Sequence, residues 1–203
     1  MSSLEILENA SEHEPFWLGQ KDDDLRHVFK AIDQGDLGVL RWLAGLGAAR
    51  MAEPNSGLTP LMYAVARSRP DMVCLLIPHS ELEQADEYGM TALLVASCNG
   101  NAVCLKALIP VSDLKAVDAL TGKTALMNAA DRGFADCVEL LLPGSQCDAV
   151  DASGMNAATL ARMSGHGDIA DQIESYRARM ERDSLMHEVG APTGAKLSRA
   201  CRI

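Results

Sequence analysis

The strongest constraint on this chain is a segment that recurs in phase. GLTPLMYAVARSRPDMVCLLIP from Gly57, GMTALLVASCNGNAVCLKALIP from Gly89, GKTALMNAADRGFADCVELLLP from Gly122 and GMNAATLARMSGHGDIADQI from Gly154 align with their first glycines 32, 33 and 32 residues apart. A fainter copy precedes them. In RHVFKAIDQGDLGVLRWL, Ala31, Gly35, Leu40 and Leu43 stand one period before Ala64, Ser68, Val73 and Leu76. A unit of this length is one supersecondary element. It cannot bury its apolar face alone, so successive units must stack.

Each recurring residue has a stereochemical task. The glycine before the threonine supplies a positive φ in the turn leading into a first helix. The threonine hydroxyl caps that helix by accepting from an orphan backbone N–H, and Pro60 suits its first turn, where a missing N–H costs nothing. Leu61 and Ala64, Leu93 and Ala96, Leu126 and Ala129 keep i, i+3 spacing and face the neighbouring unit. Gly35, Gly100, Gly133 and Gly165 fit a left-handed C-cap between the two helices of a unit. The second helix carries larger residues: Val73, Leu75 and Leu76; Leu105, Leu108 and Ile109; Val138, Leu140, Leu141 and Leu142. Pro78, Pro110 and Pro143 then end or distort it. With aromatics at 4%, the core is aliphatic, which suits close helix-on-helix packing better than a β-sandwich.

This period and pattern resemble the ankyrin repeat, roughly D-x-x-G-x-T-P-L-x-x-A-A-x-x-G-x-x-x-x-V-x-x-L-L. The second copy keeps Thr59-Pro60-Leu61, and the third and fourth keep Thr91-Ala92-Leu93 and Thr124-Ala125-Leu126. The fifth has Asn156 for the threonine but keeps Gly154, Ala161, Gly165 and His166. The resemblance implies an all-α solenoid of stacked helix-turn-helix units with short β-hairpin-like loops. It covers residues 21–180, as five repeats at about 21–53, 54–85, 86–118, 119–150 and 151–180. The first and last read as polar caps. Residues 1–20 form an N-terminal extension whose Pro15-Phe16-Trp17-Leu18 either packs over the first repeat or serves as a short binding motif. Residues 181–203 read as a partly disordered tail.

The residues argue against several other functions. The formal net charge is −10, which opposes nonspecific binding to nucleic acid or anionic lipid, since phosphate neutralisation needs clustered Lys and Arg. No stretch approaches the ~20 apolar residues of a membrane helix. The N-terminus is acidic with no long apolar run, so a secretory signal is not expected, and a cytoplasmic location is, with nuclear or cytoskeletal association left open. Gly122-Lys123-Thr124 looks like the end of a phosphate-binding loop, but the first glycine of that motif would fall at Val117, so it fails. The six cysteines form no C-x-x-C pair, and the five histidines show no ligand spacing. No catalytic residue, cofactor or metal is expected, and the acidic residues read as helix starts and solvated faces.

The resemblance instead implies a protein partner, bound through hairpin tips and the exposed face of the first helices. By phase, the tip position after the glycine holds Leu58, Met90, Lys123 and Met155, with Leu25 in the first copy and Tyr88 beside Met90. The first-helix groove holds Arg67, Cys98 and Asn99, Asp131 and Arg132, and Met163 and Ser164. The apolar tip series either packs hairpin on hairpin or forms an adaptable ridge for a partner. The expected function is an adaptor or scaffold, working as a monomer or within a hetero-complex. The alternative is a structural part of a cytoskeletal or multi-subunit assembly.

Overall fold

The computed structural model describes residues 21–190, with side chains placed from Leu25 to Met186. Pro15–Leu18, Cys201 and the end of the tail lie outside the described residues. Among the described residues, ten α-helices fall into five pairs: α1 Lys21–Gln34 with α2 Leu37–Gly45, α3 Pro60–Ala66 with α4 Pro70–Leu76, α5 Ala92–Cys98 with α6 Ala102–Leu108, α7 Ala125–Asp131 with α8 Ala135–Leu141, and α9 Ala157–Met163 with α10 Gly167–Gly190. First helices pack on first helices and second on second, so the pairs stack as a solenoid.

Local chemistry sets the helix bounds. The side chains of Thr59, Thr91 and Thr124 accept from the backbone N–H of Met62, Leu94 and Met127, and Asn156 does the same from Thr159. The substitution of Asn156 for threonine therefore preserves the cap. The second helices stop just before the prolines. α4 ends at Leu76 ahead of Pro78, α6 at Leu108 ahead of Pro110, and α8 at Leu141 ahead of Pro143. At Pro78 and Pro143 the chain tightens into a 3-10 turn, Ile77–His79 and Leu142–Gly144, which shortens the last turn without needing the proline N–H.

One continuous core runs through the stack. It joins Val28 and Ile32 to Leu40 and Leu43 at one end, and Leu160 and Ala161 to Ile169 and Ile173 at the other. The phase pairs Leu61–Ala64, Leu93–Ala96 and Leu126–Ala129 are all buried. Alanine at the second position lets first helices approach closely. Two expectations change at the ends. Leu25 is a buried residue inside α1 and not a hairpin tip, because the first copy lacks the Gly-x-Thr turn and its chain is already helical from Lys21. The last helix continues past residue 180 as far as Gly190, leaving Leu185 and Met186 exposed.

The break between the paired helices follows a rule of its own. Gly100 and Gly133 take positive φ (66° and 81°), and each is roofed by a ring from the next repeat, Phe134 over Gly100 and His166 over Gly133. A Cβ on Gly100 would sit 2.6 Å from the Phe134 ring. The second repeat breaks this pattern. Ser68 occupies the left-handed position with φ 55°, alone among the described non-glycine residues, and the residue in the roofing phase is the short Asn101. We expect Ser68→Gly to raise stability by about 0.5–1 kcal/mol by relieving left-handed strain. Gly100→Ala should lower it by more than about 1 kcal/mol. Urea unfolding followed by far-UV circular dichroism reads both signs.

Candidate functional site

Two surfaces meet along the stack, the hairpin tips and the groove formed by the first helices. The tips are built on acidic residues that recur with the repeat. In each loop this residue's N–H donates to the carbonyl of the residue after the glycine: Glu53 to Leu58, Asp86 to Met90, Asp118 to Lys123 and Asp151 to Met155. The aspartate carboxylates then gather the loop's other donors. Asp86 accepts from the N–H of Tyr88 and Met90, and Asp151 from those of Ser153 and Met155. Asp118 accepts from the N–H of Leu120, Thr121 and Lys123 and from the Thr121 hydroxyl at 2.6 Å. Successive loops are also joined to one another. Glu87 N–H donates to Ser56, Ala119 to Tyr88 and Ala152 to Thr121, at 3.0, 3.0 and 2.9 Å. The tips thus form a hydrogen-bonded ladder across repeats two to five.

Asp118 and Asp151 are buried, at 7% exposure each. They correct the expectation that the acidic residues occupy only helix starts and solvated faces. Burial by itself would raise the Asp118 carboxyl, but the Thr121 hydroxyl and the loop N–H groups outweigh it and hold it below the usual carboxylate range. The missed signal was the recurrence of Asp86, Asp118 and Asp151 at 32 and 33 residues, with Asp86 and Asp151 at the aspartate of D-x-x-G and Asp118 one residue ahead of it.

The tip series divides on inspection. Leu58, Met90 and Met155 are half-buried and packed against the core, so they are braces of the hairpins. Lys123 folds back onto α7 and pairs with Asp131 at 2.6 Å, which accounts for the lysine of the apparent phosphate-loop string. Two large apolar side chains that reach outward lie two residues beyond the loop aspartate, Tyr88 at 52% exposure and Leu120 at 72%, on adjacent tips; Val117 and Val150, each directly before a loop aspartate, are exposed as well. A hydrogen bond to Glu87 raises the Tyr88 phenol above its ordinary value.

The groove residues Arg67, Asn99, Arg132 and Ser164 cap the C-terminal ends of successive first helices. Arg67 lies over the Tyr63 ring, takes the Tyr63 hydroxyl as acceptor and pairs with Asp33 at 2.8 Å. Asn99 and Arg132 are exposed at the following helix ends. Asp131 accepts from Lys123 and from the Ser164 hydroxyl of the next repeat. Burial opposes its charge, but these donors prevail and lower its carboxyl. Cys98 sits half-buried between Asn99 and this pair. Burial pushes its thiol up despite the nearby Arg132 guanidinium. Burial likewise raises Cys104, Cys137 and Cys147, so all four are neutral thiols near pH 7 and poor nucleophiles. Among the described residues, no cluster of His, Cys, Asp and Glu could hold a metal, and no helix is long and apolar enough to cross a membrane.

A family model for ankyrin repeats, three copies long, matches residues 28–118 and again residues 97–182. The chain belongs to the ankyrin-repeat family. Repeats of this family are generally protein–protein interaction modules and are typically non-enzymatic. No curated protein matches the chain.

Replacing Asp118 with Ala removes one acceptor and orphans several loop donors. The expected loss is roughly 2 kcal/mol at pH 7. Because the folded carboxyl is depressed, its stabilisation is complete above the unfolded value near ~4 and vanishes as pH falls through the folded one. The gap between Asp118→Ala and the parent in denaturant midpoint should therefore be wide at pH 7 and shrink below about pH 4.

Proposed function

We propose that this protein is a non-enzymatic adaptor or scaffold that holds a protein partner against its hairpin tips and first-helix groove. The observation that carries the proposal is the pair Tyr88 and Leu120. Two large apolar side chains stand exposed on neighbouring tips whose backbones are tied together, Ala119 N–H to Tyr88 carbonyl. An exposed side chain on a mobile loop loses entropy when it is bound. One on a hydrogen-bonded ladder has lost much of it already, so more of its contact energy becomes affinity. Tyrosine is also among the residue types that dominate binding hot spots.

Arg132 and Asn99 are exposed at the C-terminal ends of their first helices, in the groove row. Arg67 reaches the same groove but is already engaged by Asp33 and Tyr63, so its contribution is smaller. Leu58, Met90 and Met155 support the surface from beneath. Lys123 and Asp131 satisfy each other and shape its floor.

The test separates contact from support. A partner is first isolated by affinity capture and its complex reconstituted from purified components. Tyr88→Ala with Leu120→Ala should then weaken the complex at least tenfold with the thermal midpoint nearly unchanged, because both side chains are exposed. Met90→Ala should lower the midpoint and change affinity less at a temperature where it stays folded. Binding by the double variant equal to that of the parent, with helical signal intact, would overturn the proposal.

A further inference from the structure

The groove row holds one pair of chain neighbours that can react with each other. A glycine, or Ser68 in the second repeat, follows the end of each first helix, and the residue before it changes from copy to copy. The pairs are Gln34-Gly35, Arg67-Ser68, Asn99-Gly100, Arg132-Gly133 and Ser164-Gly165. Among them only the third repeat sets an asparagine before the glycine. Asn99 is exposed, and its side-chain amide makes no hydrogen bond among the described residues. Glycine has no Cβ to shield its backbone nitrogen. The Gly100 nitrogen can therefore attack the Asn99 side-chain carbonyl and close a five-membered ring. Gln34 would need a six-membered ring, which closes more slowly.

The other described asparagines are placed against this step. Asn101 and Asn156 hold their Oδ1 on the N–H of Cys104 and Thr159. Asn128 is buried inside α7. Each of these three is followed by alanine, and Asn55 by Ser56, so a Cβ stands beside the attacking nitrogen. The Gly100 N–H is also loosely tied. It reaches the Ser97 carbonyl at 3.4 Å, whereas the N–H groups of Asn99 and Asn101 lie 3.1 and 3.0 Å from the carbonyls of Val95 and Ala96.

The fold supplies a gate. Ring closure needs the Asn99 Cβ eclipsed with the Gly100 nitrogen about the Cα–C bond. In the helix-cap conformation of Asn99, φ −92° and ψ −2°, the two point apart. The turn must therefore open first, and the Phe134 ring of the fourth repeat lies on Gly100. Such local openings cost less than unfolding the whole array.

We infer that Asn99 with Gly100 is a site of spontaneous deamidation, gated by the contact of Phe134 with Gly100. The Gly100 nitrogen gives its proton to hydroxide and bonds to Asn99 Cγ. The Cγ–Nδ2 bond breaks, and Nδ2 takes a proton from water and leaves as ammonia. One water then opens the cyclic imide at either carbonyl, giving aspartate or isoaspartate at this position. The product puts a carboxylate into the row of Arg67, Asn99, Arg132 and Ser164, which has none. That row belongs to the groove assigned above to a partner, but the modification stands whether or not a partner binds there.

The test ages the purified full chain at mildly alkaline pH, folded and in urea. Each conversion adds one negative charge, which anion exchange resolves. Peptide mapping with electron-transfer fragmentation then assigns the position and separates aspartate from isoaspartate. In the folded chain Asn99 should convert before the other described asparagines, about ten- to a hundredfold more slowly than in the unfolded chain. The rate should rise with pH, because the attacking nitrogen must lose its proton. Phe134→Ala should speed conversion at least about threefold at a temperature where the helical signal is intact, and Phe134→Leu should move it the same way if the alanine variant does not fold. Asn99→Gln should remove the early charge form. Four results would overturn the inference: another described asparagine converting first, an Asn99→Gln chain that gains the charge at the parent's rate, a folded rate equal to the unfolded one or unmoved by loss of the Phe134 ring, or Asn99 still intact after about a hundred lifetimes of the unfolded chain.

Discussion

Everything in this molecule depends on contact between neighbouring repeats. A helix pair seven residues a side has too little apolar surface to stand alone in water. The small residues Ala64, Ala96, Ala129 and Ala161, all fully buried, let the next pair come close enough to complete the core. The same dependence appears at smaller scale. Phe134 and His166 roof the helix-breaking glycines of the preceding repeat, and each hairpin hands a backbone N–H to the carbonyl of the one before. Stability is therefore distributed along the stack as nearest-neighbour terms, and the loops it presents are tied to one another by backbone hydrogen bonds.

That order links fold to function. Glu53 and the three loop aspartates turn four connecting segments into a ladder, and the ladder fixes the spacing of Tyr88 and Leu120. The first helices fix the spacing of Asn99 and Arg132 at the groove's edge. One face of α7 then carries a completed ion pair, Lys123 with Asp131, beside an uncompleted donor, Asn128.

The fold was legible in the sequence almost to the residue, because repetition shows each local signal several times. Thr59, Thr91 and Thr124 mark helix starts, and Pro78, Pro110 and Pro143 mark ends. Where a signal was replaced, a physical equivalent replaced it, as Asn156 does for threonine. The surface was legible only in part. Phase gives a residue's position in the repeat but not the direction in which its side chain leaves. Leu58, Met90 and Met155 share a tip phase and yet turn inward, whereas Tyr88 and Leu120, two residues beyond the aspartate, turn outward. The buried role of Asp118 and Asp151 was obscured because a carboxylate in a loop reads as solvated unless its backbone donors are counted. Leu25 was misplaced because the degenerate first copy has no turn to mark where its helix begins.

Hydrogen–deuterium exchange of the protein with and without its captured partner tests the central claim most directly. The account predicts added protection at residues 86–90 and 118–123 of the tips and 98–99 and 128–132 of the groove, with α4, α6 and α8 unchanged. Protection confined to those outer helices, or absent from both tips and groove in a saturated complex, would contradict it.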